Sequence, residues 1–120
     1  MGRRLSDLMR LDAYTVVFLR RPAGAPQLSD DELAALQREH LAFNVRMREA
    51  GHALISGPVT GQPDESLRGI SVFRTSVEET RTLMEGDPSV QAGRLVVDIC
   101  TWLMPAGTLG DHPSAQIDDD

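Results

Sequence analysis

Residues 13–20, with the sequence AYTVVFLR, are rich in β-branched and aromatic side chains and predict the first β-strand. A loop with two prolines follows at 21–28. Ser29 and Glu32 then have the spacing of a capping box, in which the hydroxyl and the carboxylate each satisfy a backbone N–H at a helix start. The helix is expected to end just before Gly51, because glycine is common directly after a helix C-terminus.

The rest of the chain predicts two more strands, a second helix and a last strand. Ser76 and Glu79 repeat the capping-box spacing and predict a shorter helix that ends near Gly86. The segment that follows, with Asp87 and Pro88, is expected to form a loop or a single helical turn. The predicted strands are residues 52–60, 67–74 and 94–103, with a turn at 61–66.

The resulting order, β-α-β-β-α-β, predicts an α+β protein of the ferredoxin-like class, in which two helices cover one face of a four-stranded antiparallel sheet. We expect the domain to occupy residues 13–104, between an N-terminal arm at 1–12 and a loose, flexible acidic tail at 105–120. We also expect the first and third strands to be neighbours that run parallel, so that the helices after them run parallel as well.

Charge and cysteine content limit the partners and the compartment of this protein. The net charge is −6, which argues against nucleic-acid binding, and four aspartates in the tail (at 111 and 118–120) account for most of it. The single cysteine, Cys100, cannot form an internal disulfide and fits a reducing, cytoplasmic compartment. Charge-free runs are too short to span a membrane, so we expect neither a membrane nor a nucleic acid as partner.

Both faces of the predicted sheet carry apolar side chains. In the first strand Val17 and Leu19 alternate with Val16 and Phe18, and the last strand shows a similar pattern. Two helices can cover only one of these faces, and a solvated second face would alternate with polar residues. We therefore expect the second face to be covered by another copy of the chain, in a homodimer.

His40 lies in the apolar stripe of the first predicted helix. Its neighbours in that sector are three or four residues apart: Leu33, Leu36, Phe43 and Met47. A histidine at such a position is either a structural residue with satisfied hydrogen bonds or a site residue in a half-dry cleft. The spacing alone favours the structural interpretation.

Four other residues are candidates for binding a small molecule, and three of them have a structural alternative. Asn44 lies at the edge of the helix face that carries His40, as a possible polar neighbour. Gly57 and Pro58 interrupt the second strand, where they either bend it or bring its backbone close to another group. Arg94 either binds an anionic group or covers part of the surface.

Asp87 precedes a proline, and a turn residue is its simpler interpretation. The spacing also favours a second role. Asp87 stands eleven residues after Ser76, and His40 stands eleven residues after Ser29, so two parallel helices would bring them to the same depth. We therefore expect the carboxylate and the imidazole to lie side by side.

The sequence lacks the motifs of several other chemistries. Its three histidines have no HxxxH or HxH spacing, so we expect no metal site. It has neither a glycine-rich phosphate loop nor the GxSxG sequence of a nucleophile elbow. The residues therefore predict acid–base chemistry or ligand binding, without a cofactor.

The chain resembles the YciI-like (YCII-related) family in the order and spacing of four features. These are REHL at 38–41, Gly57-Pro58, GDPSVQAG at 86–93, and Trp102 in the last strand. The resemblance implies a ferredoxin-like domain that pairs sheet to sheet as a dimeric α/β barrel. It also implies a cleft in which His40 and Asp87 form the active pair.

The resemblance further implies an activity, because proteins of this architecture include isomerases and dehydrochlorinases of small ring compounds. We expect a cofactor-free isomerase, lyase or dehydrohalogenase that acts on a small aromatic or enol/lactone-type acid through His40 and Asp87. The alternative is a non-catalytic dimeric module that binds a small ligand or assists another protein. A third hypothesis is a structural dimer whose own side chains fill the cleft.

Overall fold

The computed structural model describes residues 10–110 and 112–117, which form an α+β fold with one antiparallel sheet and few helices. The structure contains both predicted helices and all four predicted strands. The segment after the second helix forms a short third helix, and a fifth strand that was not predicted lies near the C-terminus. In chain order the elements are β1 (Leu11–Arg20), α1 (Asp30–Glu49), β2 (Ala53–Pro58), β3 (Leu67–Phe73), α2 (Val77–Met84), α3 (Pro88–Gln91), β4 (Val96–Pro105) and β5 (Ala115–Ile117).

Serine caps start both of the longer helices, as the sequence predicts. At α1, the hydroxyl of Ser29 accepts from the Glu32 N–H at 3.2 Å, and the Ser29 N–H donates to the Glu32 carboxylate at 3.1 Å. At α2, the hydroxyl of Ser76 accepts from the Glu79 N–H at 3.1 Å and donates to the Glu79 carboxylate at 3.2 Å. The capping box is therefore complete at α1, whereas at α2 the carboxylate contacts the hydroxyl and not the backbone.

The strand order is β2-β3-β1-β4, and every pairing is antiparallel. The prediction that the first and third strands run parallel is therefore wrong. Because β3 returns from β2 through a hairpin and inserts beside β1, it must run opposite to both of them. The argument that two parallel helices bring His40 and Asp87 to equal depth fails with it.

Part of the predicted flexible tail is ordered, and that prediction is wrong for residues 115–117. These form β5 and pair with 11–13 of β1. The backbone N–H and the hydroxyl of Ser114 both donate to the Ala13 carbonyl, at 2.9 and 2.8 Å. β3 pairs with β1 only from Thr15 onward. Residues 11–13 of β1 therefore have backbone N–H and C=O groups that need another partner, and β5 pairs with them.

The predicted boundaries of the domain also shift. β1 begins at Leu11, inside the expected N-terminal arm, and β4 extends to Pro105. The first nine residues of that arm, together with the four tail aspartates at 111 and 118–120, lie outside the described residues.

The sheet carries an apolar cluster on each face. Toward the helices, Val17 and Leu19 of β1 pack with Phe43 of α1, Phe73 of β3 and Met84 of α2. On the opposite face lies a second cluster, made of Tyr14, Val72 and Met104, with Leu54 and the tail residue Leu109 packed against it.

The rest of that second face is open in the single chain. Val96 and Trp102 of β4 are 46% and 47% exposed, and Cys100 between them is exposed as well. The apolar composition of the strand predicts a buried Cys100, but Cys100 pairs with Val16 and so lies on the face opposite to the one that α1 and α2 cover. No helix among the described residues has the length and apolar character needed to cross a membrane.

Candidate functional site

His40 and Asp87 lie side by side, which confirms the predicted pairing. The Nδ1 atom of His40 is 2.9 Å from both carboxylate oxygens of Asp87. The Asp87 side chain is fully buried, whereas 13% of the His40 side chain remains exposed. The carboxylate is thus shielded from water behind the ring, and only the imidazole has access to solvent.

Asp87 reaches this position through the turn that joins α2 to α3. It is the N-cap residue of α3, and its Oδ1 accepts from the Ser89 N–H at 2.9 Å. A Cβ at the preceding Gly86 would lie 3.2 Å from the Leu83 carbonyl and 3.6 Å from the Phe43 ring, so the turn packs closely on α1. Asp87 is therefore both the turn residue of the simpler interpretation and the partner of His40.

His40 is held by the inward-facing stripe of α1. Phe43 is buried in the core, and Leu33, Leu36 and Met47 are half-buried on the same side, as the helical spacing predicts. Packing of these side chains fixes the rotation of the helix about its axis. The imidazole therefore meets Asp87 in one defined orientation.

The hydrogen bond to Asp87 determines which ring nitrogen is available for chemistry. A carboxylate only accepts, so Nδ1 of His40 carries the proton and donates it to Asp87. In the neutral ring, Nε2 then has a free lone pair. Asn44, one turn further along α1, places Nδ2 3.5 Å from Nε2, at the outer limit of a hydrogen bond.

A cavity of about 440 Å³ lies between α1, the β2–β3 hairpin and the segment before β4. The predicted residues His40, Asn44, Gly57, Pro58 and Arg94 all line it, while Asp87 lies behind His40. Its apolar wall includes the leucines Leu19, Leu33, Leu36, Leu41 and Leu95. The cavity is within the usual size range for small-molecule sites.

The backbone of Gly57 lies close to the neighbouring strand, as one of the two alternatives for this position predicts. A Cβ added to Gly57 would meet no protein atom within 4 Å. A Cβ added to Gly69 of β3 would lie 3.2 Å from the Gly57 carbonyl and 3.4 Å from Cδ1 of Leu19. Because Gly69 has no side chain, the Gly57 carbonyl and the Leu19 side chain can pack close to it in the cavity wall. Gly57 itself lines the cavity beside Pro58.

Arg94 has a structural contact in addition to its place in the cavity wall. One of its Nη atoms donates to the Pro26 carbonyl at 2.8 Å, which ties the loop after β1 to the start of β4. Three more arginines that sequence reasoning did not single out also line the cavity: Arg21, Arg48 and Arg68. Their positions depend on strand pairing, which no local motif encodes.

Metal coordination has no matching donor set in the part of the chain that the structure describes. Over residues 10–110 and 112–117, no three or more His, Cys, Asp or Glu side chains are grouped so that they could hold a metal ion. The side chains that do line the cavity include an imidazole and four guanidinium groups, which are suited to proton transfer and to the binding of polar or anionic groups.

An antiparallel sheet with a His–Asp pair, whose carboxylate is buried and whose imidazole lines a small cavity, defines a small α+β protein with a candidate acid–base site. The model of the YCII-related domain matches residues 14–103 of the chain. The protein therefore belongs to the YCII-related family, which confirms the resemblance seen in the sequence.

One solved structure is similar to this chain in fold. The chain is similar to 5-chloro-2-hydroxyhydroquinone dehydrochlorinase from Burkholderia phenoliruptrix in complex with 2,5-dihydroxybenzoquinone, with 22% identity and a TM-score of 0.52. The match covers 82% of this chain and 99% of that one. At this identity the similarity establishes the fold alone. None of the curated proteins compared with the chain matches it.

Proposed function

We propose that this YCII-related protein is a cofactor-free acid–base enzyme, an isomerase, lyase or dehydrohalogenase, that acts on a small aromatic or enol/lactone-type acid. The observation that carries the proposal is the arrangement of His40. Its Nδ1 is held at 2.9 Å by the buried carboxylate of Asp87, while the ring lines a cavity large enough for such a substrate.

In this proposal His40 is the general base. Its Nε2 takes a proton from a C–H or O–H group of the substrate, and the buried carboxylate of Asp87 stabilises the imidazolium that forms. In an isomerase the proton then returns to a different substrate atom. In a lyase or dehydrohalogenase, the electron pair of the broken C–H bond forms a double bond as the leaving group departs.

The other predicted residues bind and orient the substrate. Asn44 is next to Nε2 of His40, so its amide is positioned to donate to a substrate oxygen close to the reacting atom. Gly57 and Pro58 form one wall of the cavity, and Arg94 adds a positive charge. Proton transfer by a positioned residue typically contributes about 10²- to 10⁴-fold in rate. The dehydrochlorinase of similar fold supports this class of reaction.

We also propose that the ferredoxin-like domain forms a homodimer through its open sheet face, as a dimeric α/β barrel. A groove of about 300 Å³ on that face is lined by Val16, Phe18, Ile70, Cys100, Thr101 and Trp102. Its lining is almost entirely apolar, and exposed Val96 lies on the same face of β4. Burial of such a surface against a second copy removes it from water.

The enzymatic proposal can be tested while the substrate is still unidentified. Small aromatic acids and lactones are screened for an increase in melting temperature, and each one that binds is then incubated in D₂O and followed by proton NMR. An acid–base enzyme exchanges or eliminates the acidic C–H of its ligand. A ligand at 100 times its Kd stabilises the fold by about 2.7 kcal/mol, which the screen detects.

The matched variants are His40→Asn and His52→Asn. The His52 side chain does not line the cavity, so His52→Asn should exchange protons as the wild type does. His40→Asn should bind the same ligands and lose the exchange. If the wild type binds several ligands but exchanges or transforms none, the protein is a non-catalytic binding module.

A further inference from the structure

Three arginines line the cavity close to the place where three paired strands begin or end. Arg21 follows β1, Arg68 lies at the start of β3, and Arg94 precedes β4. The pairing of Arg20 with both Leu67 and Val96 brings these strand ends together. All three arginines line the cavity that also contains His40.

Arg68 belongs to this group because of a β-bulge. Leu19 pairs with Gly69 and Arg20 pairs with Leu67, so Arg68 is the extra residue between two consecutive pairs. Regular alternation would place Arg68 on the opposite face from Gly69, which lines the cavity. A bulge re-aims a side chain, and here it lets Arg68 line the same cavity as Gly69.

These arginines have no acidic partner within the described ranges. The carboxylates of Asp64 and Asp98 bind Arg20 instead, at 3.1 and 2.7 Å. The hydrogen bonds of Arg68 and Arg94 go to the backbone carbonyls of Glu65 and Pro26. Among the described residues, none that lines the cavity is an aspartate or glutamate.

The positive charges are close enough to repel one another. Burial and the guanidinium groups of Arg94 and Arg68 lower the pKa of Arg21. Clustering like charges without a counter-charge is unfavourable, and an anion between them removes that cost. This local cluster also has the opposite sign to the protein as a whole, whose net charge is −6.

We infer that Arg21, Arg68 and Arg94 form an anion subsite that holds the carboxylate of an organic acid, whose apolar body lies along the leucines of the cavity beside His40. This inference rests on the proposed function and extends it to two residues, Arg21 and Arg68, that sequence reasoning did not identify. Guanidinium groups suit this role because their planar N–H donors match a carboxylate in a bidentate fashion.

The test compares each carboxylate with its neutral amide. A panel of ten benzoic and cyclic enoic acids and their ten amides is titrated into the protein by calorimetry at low and at high salt. The acids should bind at least about tenfold more tightly than their amides at low salt, since hydrogen bonds between charged groups are stronger than neutral ones. This preference should shrink as salt screens the charges.

Variants then test whether the three arginines cause the preference for acids over amides. Arg21→Gln and Arg68→Gln should each reduce the ratio of acid to amide affinity several-fold. Arg68→Lys keeps a positive charge and should reduce the ratio less than Arg68→Gln does. Arg38→Gln changes the charge equally on an exposed position of α1 outside the cavity, and should leave the ratio unchanged. Melting curves identify any glutamine variant that is not folded, and the lysine variant at the same position is then used, which should keep only part of the acid-to-amide ratio.

The results separate this inference from the proposed function. Equal binding of acids and amides, no binding by any panel member, or an unchanged ratio in both glutamine variants overturns the anion subsite. His40→Asn should keep the acid-to-amide ratio, because it leaves the arginines in place. If the wild type prefers acids over amides but exchanges no proton, only the catalytic proposal is contradicted. If it exchanges protons but binds acids and amides equally, only the anion subsite is contradicted.

Discussion

Nδ1 of His40 lies 2.9 Å from both carboxylate oxygens of Asp87, and the same carboxylate accepts from the Ser89 N–H. One fully buried side chain thus orients the ring and starts α3. Because a buried carboxylate without partners is costly, substitutions at His40 also affect stability. Activity and stability at this site must therefore be measured together.

Replacing Asp87 by asparagine should separate its two roles. Asparagine is a good N-cap residue, so α3 should still form. An uncharged amide no longer stabilises an imidazolium or fixes the tautomer of His40, so proton exchange on a bound ligand should fall by about 100-fold or more. Asp87→Ala should in addition cost roughly 1–3 kcal/mol in the free energy of unfolding. Exchange at the wild-type rate in both variants would remove Asp87 from the mechanism.

Light scattering should give about twice the chain mass of 13.1 kDa if the open sheet faces pair. Val96→Asp should shift the protein to the monomer, because it places a charge in the apolar interface. Val45→Asp is the matched control on α1, since Val45 and Val96 are 51% and 46% exposed. The exposed thiol of Cys100 should also react more slowly with a thiol reagent in the dimer. A wild-type monomer at micromolar concentration contradicts the dimer.

Deleting residues 114–120 should destabilise the protein, in contrast to what a loose tail predicts. The deletion removes β5 and both Ser114 bonds to Ala13. At about 1 kcal/mol net per hydrogen bond, we expect a loss of roughly 1–3 kcal/mol and a Tm lower by several degrees. Deleting only residues 118–120 is the control, because it removes three charges and leaves β5 intact. Equal melting temperatures for the two deletions would show that β5 adds no stability.

The Ser29 cap should give the stability of α1 a measurable pH dependence. The backbone N–H of Ser29, and secondly its side chain, lower the pKa of Glu32 in the folded state. That stabilisation is present above the unfolded pKa of about 4.3 and is lost as the pH falls through the folded pKa. Glu32→Ala should therefore lower the free energy of unfolding at pH 7, and this cost should shrink toward pH 3 as the wild-type carboxylate becomes protonated. Urea unfolding at both pH values measures it, and a cost that grows toward pH 3 contradicts this sign.

The sequence by itself determined the local elements of this protein and their order. The strand composition of residues 13–20 and the serine caps at Ser29 and Ser76 act within a few neighbouring residues, and the structure confirms each of them. The inward stripe of α1 around His40 and Phe43 is likewise a property of helical spacing. The family match over residues 14–103 also confirms the YCII-related resemblance that the motifs at 38–41 and 86–93 indicate.

The His40–Asp87 pairing was predicted correctly, but the spacing argument for it was wrong. It assumed parallel strands, whereas β1 and β3 are antiparallel. What brings the two residues together is the close packing of the turn at Gly86 against Phe43 of α1. The family resemblance had implied the pair for a reason independent of that geometry.

Only the tertiary structure decided the features that depend on pairing between distant segments. Three features follow from strand register: the bulge at Arg68, the presence of Arg21 and Arg94 in one cavity wall, and the addition of β5 to β1. Register is set by the hydrogen bonding and packing of residues far apart in the chain, and a shift of one residue moves a side chain to the other face. No local pattern around Arg68 carries that information, so its place in the cavity is a property of the folded sheet.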